Sequence, residues 1–75
     1  MTIAKEVKKV NKQIIARKLI ELRGGKTQEK VAADLNISTS ALSMYERGER
    51  IPRDEIKIKI ANYYNRTVEA IFFKD

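Results

Sequence analysis

The sequence contains no cysteine and no histidine. Without cysteine, the chain has no disulfide framework and no thiolate metal site. Without histidine, it lacks the commonest catalytic base and the commonest zinc ligand. No acidic cluster is free of neighbouring lysine or arginine, so the remaining residue types assemble neither a nucleophile–base pair nor a metal site. These absences argue against an enzyme, and we expect no cofactor and no small-molecule ligand.

Long apolar runs are missing as well. No stretch of the sequence is long and apolar enough for a signal peptide or a membrane span. A chain without cysteine suits a reducing compartment, so we expect a soluble, cytoplasmic protein. Its 75 residues leave room for one small domain.

Basic residues are in excess, and they are unevenly distributed. The formal net charge is +6. Residues 1–30 carry nine Lys and Arg against three Asp and Glu, whereas residues 31–75 carry seven of each. A basic region attracts polyanions such as nucleic acid or an anionic membrane surface. A solvated helix face has the same composition, so charge alone leaves the partner open.

The first third of the chain has apolar residues at helical spacing. They predict a helix from about Asn11 to Arg23, which Gly24-Gly25 brings to an end. Residues 1–10 either extend this helix or form an N-terminal arm. The extension is possible because apolar residues in this segment continue the same helical stripe. The domain itself is expected to span residues 11–75.

Two short helices follow in close succession. Thr27 is a suitable N-cap for a second helix that runs to Leu35. Asn36 suits the left-handed residue that ends a helix where glycine is missing, and Ser38 is a suitable cap for a third helix that ends at Gly48. Helices joined by so few residues must meet at a steep angle, which is typical of a helix-turn-helix.

The last part of the chain predicts two more helices. Residues 56–60 alternate between isoleucine and lysine as a strand does. The apolar residues that follow nevertheless keep helical spacing, and Asp54 and Glu55 suit the first turn of a helix. Thr67 is a suitable cap for a short fifth helix. The sequence therefore predicts an all-α, compact five-helix bundle whose second and third helices form the helix-turn-helix.

The segment TQEKVAADLNISTSALSMYERGERIP, residues 27–52, fits the pattern of a helix-turn-helix. That pattern requires a small residue at the fifth position, a residue that tolerates positive φ at the ninth and an apolar residue at the fifteenth. Counted from Gln28, the fifth is Ala32, the ninth is Asn36 and the fifteenth is Leu42. With the later KIANYYNRTVEAIFF, it resembles the Cro/CI-type (XRE) helix-turn-helix family of phage-repressor-like regulators over about residues 12–73. The resemblance implies a lambda-repressor-like fold that binds double-stranded DNA through its third helix, in the major groove.

The resemblance also implies roles for individual residues. The positions that match base-contacting residues are Thr39, Ser40, Ser43 and Met44. The positions assigned to phosphate contacts are Gln28, Arg47, Arg50, Arg53 and Lys26. Gln28 also matches a glutamine that braces the third helix. Glu46 matches a glutamate that pairs with an arginine of the first helix, for which Arg17 is the candidate.

The residue types at these positions are compatible with these roles and also with ordinary solvated positions. A helix N-terminus with an amide donor such as Gln28 attracts phosphate, although Gln28 also suits an ordinary exposed position. Residues 35–45 contain no charge in a chain that is 35% charged, which indicates a face that meets another surface. A solvated polar helix followed by a solvated arginine loop remains the alternative.

The expected function is sequence-specific transcriptional regulation, by a small Cro-like repressor of a bacterial or phage-infected cell. The chain ends soon after the domain, so we expect no self-cleavage or sensor domain. Such proteins bind two-fold sites with half-sites about 34 Å apart, and we expect a homodimer, at least on DNA. Ile71, Phe72 and Phe73 are the expected dimer contact. Alternatively, Ile71 and Phe72 complete the core and only Phe73 is exposed.

A protein-interaction module is the second function that the sequence allows. An antitoxin or antirepressor would use the same fold to hold a partner protein through the apolar C-terminus and the uncharged third helix. Membrane-surface binding is less well supported, because the basic residues of the first helix flank a stripe that the core needs. Salt dependence separates the first two functions, since DNA binding weakens steeply with salt.

Overall fold

The computed structural model describes residues 11–74, and within this range the chain forms five α-helices and no strand. The helices are α1 (Lys12–Arg23), α2 (Gln28–Leu35), α3 (Thr39–Glu46), α4 (Asp54–Tyr64) and α5 (Val68–Phe72). The all-α prediction is confirmed, and residues 56–60 are helical. Residues 1–10, for which an arm and a helix extension were both open, lie outside the described residues, as does Asp75.

Four of the five helices are preceded by a residue whose side chain accepts hydrogen bonds from backbone N–H groups of the first turn. These caps are Asn11, Thr27, Ser38 and Thr67. Each oxygen satisfies an N–H group that has no partner inside the helix. The three predicted caps are confirmed, while Asn11 precedes α1 instead of opening it. Only Arg53, before α4, makes no side-chain cap bond.

Both helices of the helix-turn-helix are followed by a residue with a left-handed backbone conformation. Asn36, with φ 59° and ψ 43°, follows α2 as predicted. Gly48, with φ 73°, turns the chain just after α3. The N–H of Glu49 then donates to the carbonyl of Met44 at 2.9 Å, which completes a Schellman motif. Asn65 adopts the same left-handed conformation after α4.

The core takes apolar side chains from all five helices. Its most deeply buried members include Leu19, Val31, Leu42, Ile60, Ile71 and Phe72. Burying one such side chain contributes roughly 1.5–3 kcal/mol. Leu42 belongs to α3, so this burial fixes which side of α3 faces inward and leaves the opposite side at the surface.

Lys57 of α4 is a basic residue with a buried side chain. The residue is 9% exposed. Its ammonium lies 5.0 Å from the centre of the Phe73 ring and 3.4 Å from Oδ1 of Asp54. The aliphatic stem is therefore buried while the charge meets an aromatic face and a carboxylate, which explains why lysine is accommodated here.

Gly48→Ala is expected to destabilise the domain by about 1 kcal/mol, because an alanine side chain disfavours the left-handed conformation. An added Cβ would also lie 3.1 Å from the Gln13 side-chain amide, which has to move. For a domain of this size the melting temperature falls by roughly 4–8 °C.

Gly25→Ala is the matched control, because a Cβ at Gly25 meets nothing within 4 Å. Thermal unfolding followed by circular dichroism compares the two variants with the unaltered protein. Equal melting temperatures for Gly48→Ala and Gly25→Ala would contradict the role given to Gly48.

Candidate nucleic-acid interface

The outer side of α3 carries all four residues expected to contact bases. Thr39 and Ser40 are exposed, and Ser43 and Met44 are partly exposed. The side chains of this set are short hydroxyls and one thioether, and none is charged. Hydroxyls both donate and accept hydrogen bonds, so this surface is able to contact either donors or acceptors. Its position agrees with the expectation, while base contact itself remains a prediction.

The last residue of α3 carries a buried carboxylate. Glu46 is 4% exposed. The Nε–H of Arg23 donates to its Oε2 at 2.8 Å and its Oε1 at 3.1 Å. The side-chain amide of Gln28 donates to the same Oε1 at 2.9 Å. Arg23 also donates from Nη1 to the backbone carbonyl of Lys26 at 2.8 Å. One carboxylate thus joins the end of α1, the start of α2 and the end of α3.

The expectation that Arg17 pairs with Glu46 is wrong. Arg17 is exposed on α1, and Arg23 makes the ion pair. The two arginines are six residues apart, which on a helix means about 9 Å along the axis and about 240° around it. Arg17 therefore lies on a different side of α1, and the ion pair with the carboxylate is made by Arg23.

Gln28 braces α3 through its bond to Glu46, as the sequence led us to expect. It is the first residue of α2 and is partly exposed. The first backbone N–H groups of a helix have no partner inside it, and the helix dipole is positive there. Gln28 therefore combines a fixed side chain with a helix end suited to an anion. Phosphate contact remains a prediction.

The basic residues expected to contact phosphate occupy two different settings. Arg50 and Arg53 are exposed in the segment between α3 and α4. Lys26 is also exposed, and its ammonium lies 4.9 Å from the centre of the Tyr63 ring. Lys26 therefore lies at an exposed corner between α1 and α2.

Arg47 differs from those residues, because its guanidinium is held by two neighbours. Nη1 donates to Oγ of Ser43 at 2.7 Å. Nε and Nη2 donate to the carboxylate of Glu49 at 3.0 Å and 2.9 Å. These bonds raise the pKa of Arg47 and lower the pKa of Glu49. Both groups therefore stay charged near neutral pH.

On its other side, α2 is attached to α4. The Tyr63 hydroxyl donates to Oδ2 of Asp34 at 2.6 Å, and the ammonium of Lys59 donates to the carbonyl of Leu35 at 3.1 Å. The Tyr63 bond lowers the pKa of Asp34 and raises that of the Tyr63 hydroxyl. The helix-turn-helix is thus fixed to the rest of the domain by polar contacts as well as by its core.

Tyr64 lies near the buried ion pair. Burial, with a smaller contribution from the charge of Glu46, raises the pKa of the Tyr64 hydroxyl to about 12. The phenol is therefore neutral at any physiological pH, and it adds no second negative charge next to the carboxylate.

The expected dimer contact is only partly available at the surface. Ile71 and Phe72 are each 2% exposed and belong to the core, whereas Phe73 is 45% exposed. The alternative in which only Phe73 is exposed therefore describes the single chain, and a dimer contact at this end would have to begin with Phe73.

Residues 11–74 lack two other kinds of site. No group of three or more acidic side chains in this range is placed to hold a metal ion. None of the five helices is long and apolar enough to cross a membrane.

Two residues of the site were not predicted from the sequence. Arg23 is the true partner of Glu46, and its only signal was its position at the end of the first helix. Glu49 holds Arg47, and its only signal was the Arg-Gly-Glu order at a predicted helix end.

The Arg23–Glu46 pair should show strong energetic coupling. Removing Arg23 leaves the carboxylate of Glu46, whose side chain is 3% exposed, without its counterion, so Arg23→Ala is expected to lower the free energy of unfolding by about 2–4 kcal/mol. Glu46→Ala should cost less, because the Arg23 side chain that it leaves unpaired is 21% exposed. A double-mutant cycle with Arg23→Ala should give a coupling energy of about 1 kcal/mol or more, measured by urea unfolding. Arg17→Ala is the control and should change stability by less than about 0.5 kcal/mol. Additive effects of the Arg23 and Glu46 substitutions would refute the coupling.

Comparison with known proteins agrees with this geometry. The family model described as helix-turn-helix matches residues 17–71. The HTH-type transcriptional regulator ImmR of Bacillus subtilis (strain 168) is 36% identical over 63 residues, which are 81% of this chain and 50% of ImmR. The chain thus spans half the length of this relative.

A solved structure shows the same fold. The solution structure of the SOS-response transcriptional repressor LexA from Eubacterium rectale matches with a TM-score of 0.80 at 24% sequence identity. The match covers 92% of this chain and 76% of that one. Since the family match runs through all of α2, α3 and α4, this chain belongs to the XRE-type helix-turn-helix family of DNA-binding transcriptional regulators.

Proposed function

We propose that this protein is a sequence-specific repressor that places α3 in the major groove of its operator. The observation that carries the proposal is the uncharged outer face of α3, which the buried Glu46 fixes to α1 and α2. The major groove of B-DNA is wide enough to admit an α-helix. Occupying the operator would exclude RNA polymerase, and the protein would act in the cytoplasm at the nucleoid, within a bacterial or phage-infected cell.

Base recognition is assigned to the outer face of α3. The hydroxyls of Thr39, Ser40 and Ser43 suit either donors or acceptors on base edges, and Met44 suits the methyl group of thymine. The set contains no side chain that makes two parallel hydrogen bonds to one base. Discrimination by α3 alone should therefore be modest, and sequence-dependent DNA shape should supply part of it.

Phosphate contacts are assigned to residues on both sides of α3. Gln28 and the N-terminus of α2 suit one phosphate. Arg50, Arg53 and Lys26 are exposed cations that suit others. Each neutralised phosphate releases counterions, so the affinity should fall as the salt concentration rises.

A homodimer on a two-fold operator is part of the proposal. A single α3 spans only eight residues and reads few base pairs, so two copies are needed for a selective site. The exposed Phe73 is the residue of the C-terminal segment that is available for contact with a second copy. Two-fold symmetry would bring the same surface of both copies together.

A protein-binding role is the second candidate, and exposed apolar residues favour it. Ile20, Ile58 and Phe73 are 47%, 53% and 45% exposed. Scattered apolar residues are normal on protein surfaces, whereas the outer face of α3 is uncharged and is flanked by exposed arginines. For this reason DNA binding is the better supported function.

Selection of sites from a random duplex DNA pool tests the proposal. We expect the purified protein to enrich a two-fold sequence with half-sites about one helical turn apart. Repeating the selection at about 50 mM and about 200 mM salt should show a steep loss of affinity. If neither salt concentration gave enrichment, the DNA-binding proposal would fail and the protein-partner role would replace it.

Substitutions on α3 and in the loop should affect binding differently. Ser40→Ala and Met44→Ala remove contacts to bases, so they should change which bases are preferred. Arg50→Ala should weaken binding to all sequences alike and lower the slope of log K against log salt by about one. Binding measured against a panel of single-base operator variants separates these outcomes. Unchanged base preference in both α3 variants would show that the recognition surface lies elsewhere.

A further inference from the structure

We infer that Arg47 reads a guanine at the edge of the site contacted by α3, and that Glu49 positions its guanidinium for that purpose. The inference rests on the proposed function, since it requires α3 to lie in the major groove. It replaces the phosphate role that the sequence suggested for Arg47. Three features of the geometry support it, namely where the guanidinium lies, how it is held, and which of its donors remain free.

The guanidinium of Arg47 lies beside the recognition face, between Ser43 of α3 and Glu49 of the loop. Arg47 follows the last residue of α3 and keeps helix-like backbone angles, with φ −94° and ψ 0°. It is four residues after Ser43, a spacing that puts the two side chains on the same side of a helix. The 2.7 Å bond from Nη1 to the Ser43 hydroxyl confirms this placement.

Two groups attached firmly to α3 hold the guanidinium. The Glu49 carboxylate accepts from Nε and Nη2, which together form one edge of the planar group. The backbone of Glu49 is itself fixed, because its N–H donates to the carbonyl of Met44 at 2.9 Å after the left-handed turn at Gly48. Arg47 is therefore already partly ordered before any ligand arrives, which reduces the entropy lost on binding.

The remaining donors of Arg47 match a guanine. A guanidinium has five N–H groups, and Ser43 and Glu49 together use three of them. One N–H is left on each terminal nitrogen. Guanine presents two acceptors in the major groove, N7 and O6, and an arginine that donates to both is the commonest specific contact to this base. Arg47 thus supplies the two-bond donor that the residues on α3 itself lack.

The charge of the pair argues against a phosphate role. Glu49 cancels the positive charge of Arg47 at close range, so the pair has little net charge with which to displace counterions. The two N–H groups of Arg47 that Ser43 and Glu49 do not use can still donate to a base. Neither Arg50 nor Arg53 forms an ion pair within the part of the chain that the structure describes. Those two arginines are better suited to the backbone, and Arg47 to a base.

Arg47→Lys tests the inference, because lysine keeps the charge and loses the planar pair of donors. The selected site of the unaltered protein should contain a guanine at one position of each half-site. In Arg47→Lys the preference for that guanine should fall roughly tenfold, while the salt slope stays the same. Arg50→Lys is the matched control and should leave every base preference intact.

Glu49→Gln tests the positioning role. It should relax the preference at the same guanine, because the amide replaces one of the two acceptor oxygens with an NH2 group, which cannot accept from Arg47. Binding to non-specific DNA should become tighter, since one negative charge has been removed. A residue that only stabilised the fold would change the melting temperature and leave the preference at this one position unchanged.

The possible outcomes separate this inference from the proposed function. A selected site without that guanine, or an Arg47→Lys variant with unchanged preferences, would overturn the assignment of Arg47 and leave operator binding established. A uniform loss of affinity in Arg47→Ala, with a lower salt slope and unchanged base preferences, would return Arg47 to a phosphate. If the unaltered protein enriched no sequence at all, both the proposed function and this inference would be rejected.

Discussion

The orientation of α3 depends on one buried carboxylate. A charge out of contact with water is tolerated only when hydrogen-bond donors surround it, and Glu46 meets this requirement with the guanidinium of Arg23 and the amide of Gln28. Apolar packing through Leu42 decides which side of α3 is inward, but apolar contacts are not directional. The carboxylate adds the direction. It holds the last turn of α3 against the first turn of α2, so the two segments proposed to contact DNA keep a fixed relation to each other.

The parts of the fold that the sequence predicted well are those decided within a few residues. Ser38 caps α3 because its hydroxyl accepts from an N–H only three residues away, and Asn36 turns the chain because asparagine tolerates a left-handed backbone. Such effects are visible in a short window of sequence. The partner of Glu46 is not, because Arg23 lies 23 residues away and its selection over Arg17 depends on how α1 is rotated and how far it extends.

The candidate site shows the same division. The residues on the outside of α3 follow from helical periodicity once Leu42 and Tyr45 are assigned to the core, and the structure places both there. The position of the Arg47 guanidinium does not follow from periodicity. It depends on the turn at Gly48, which brings Glu49 back alongside the helix end. Likewise, the sequence left open whether Ile71 and Phe72 join Phe73 in a dimer contact or complete the core, because only packing decides which apolar side chains are buried.

Charge is distributed around α3 in a way that separates affinity from specificity. The helix face itself is uncharged, so any contact it makes depends on hydrogen-bond and methyl positions that differ between bases. The exposed cations lie outside it, where contact with the backbone is the same for every sequence. Arg47 differs from these cations in position, because its guanidinium lies beside Ser43. In the proposed mode of binding, the negative charge of Glu49 offsets the positive charge of Arg47, so Arg47 adds little non-specific attraction. Non-specific attraction in this mode therefore comes from the exposed arginines of the loop, and selectivity depends on hydrogen bonds.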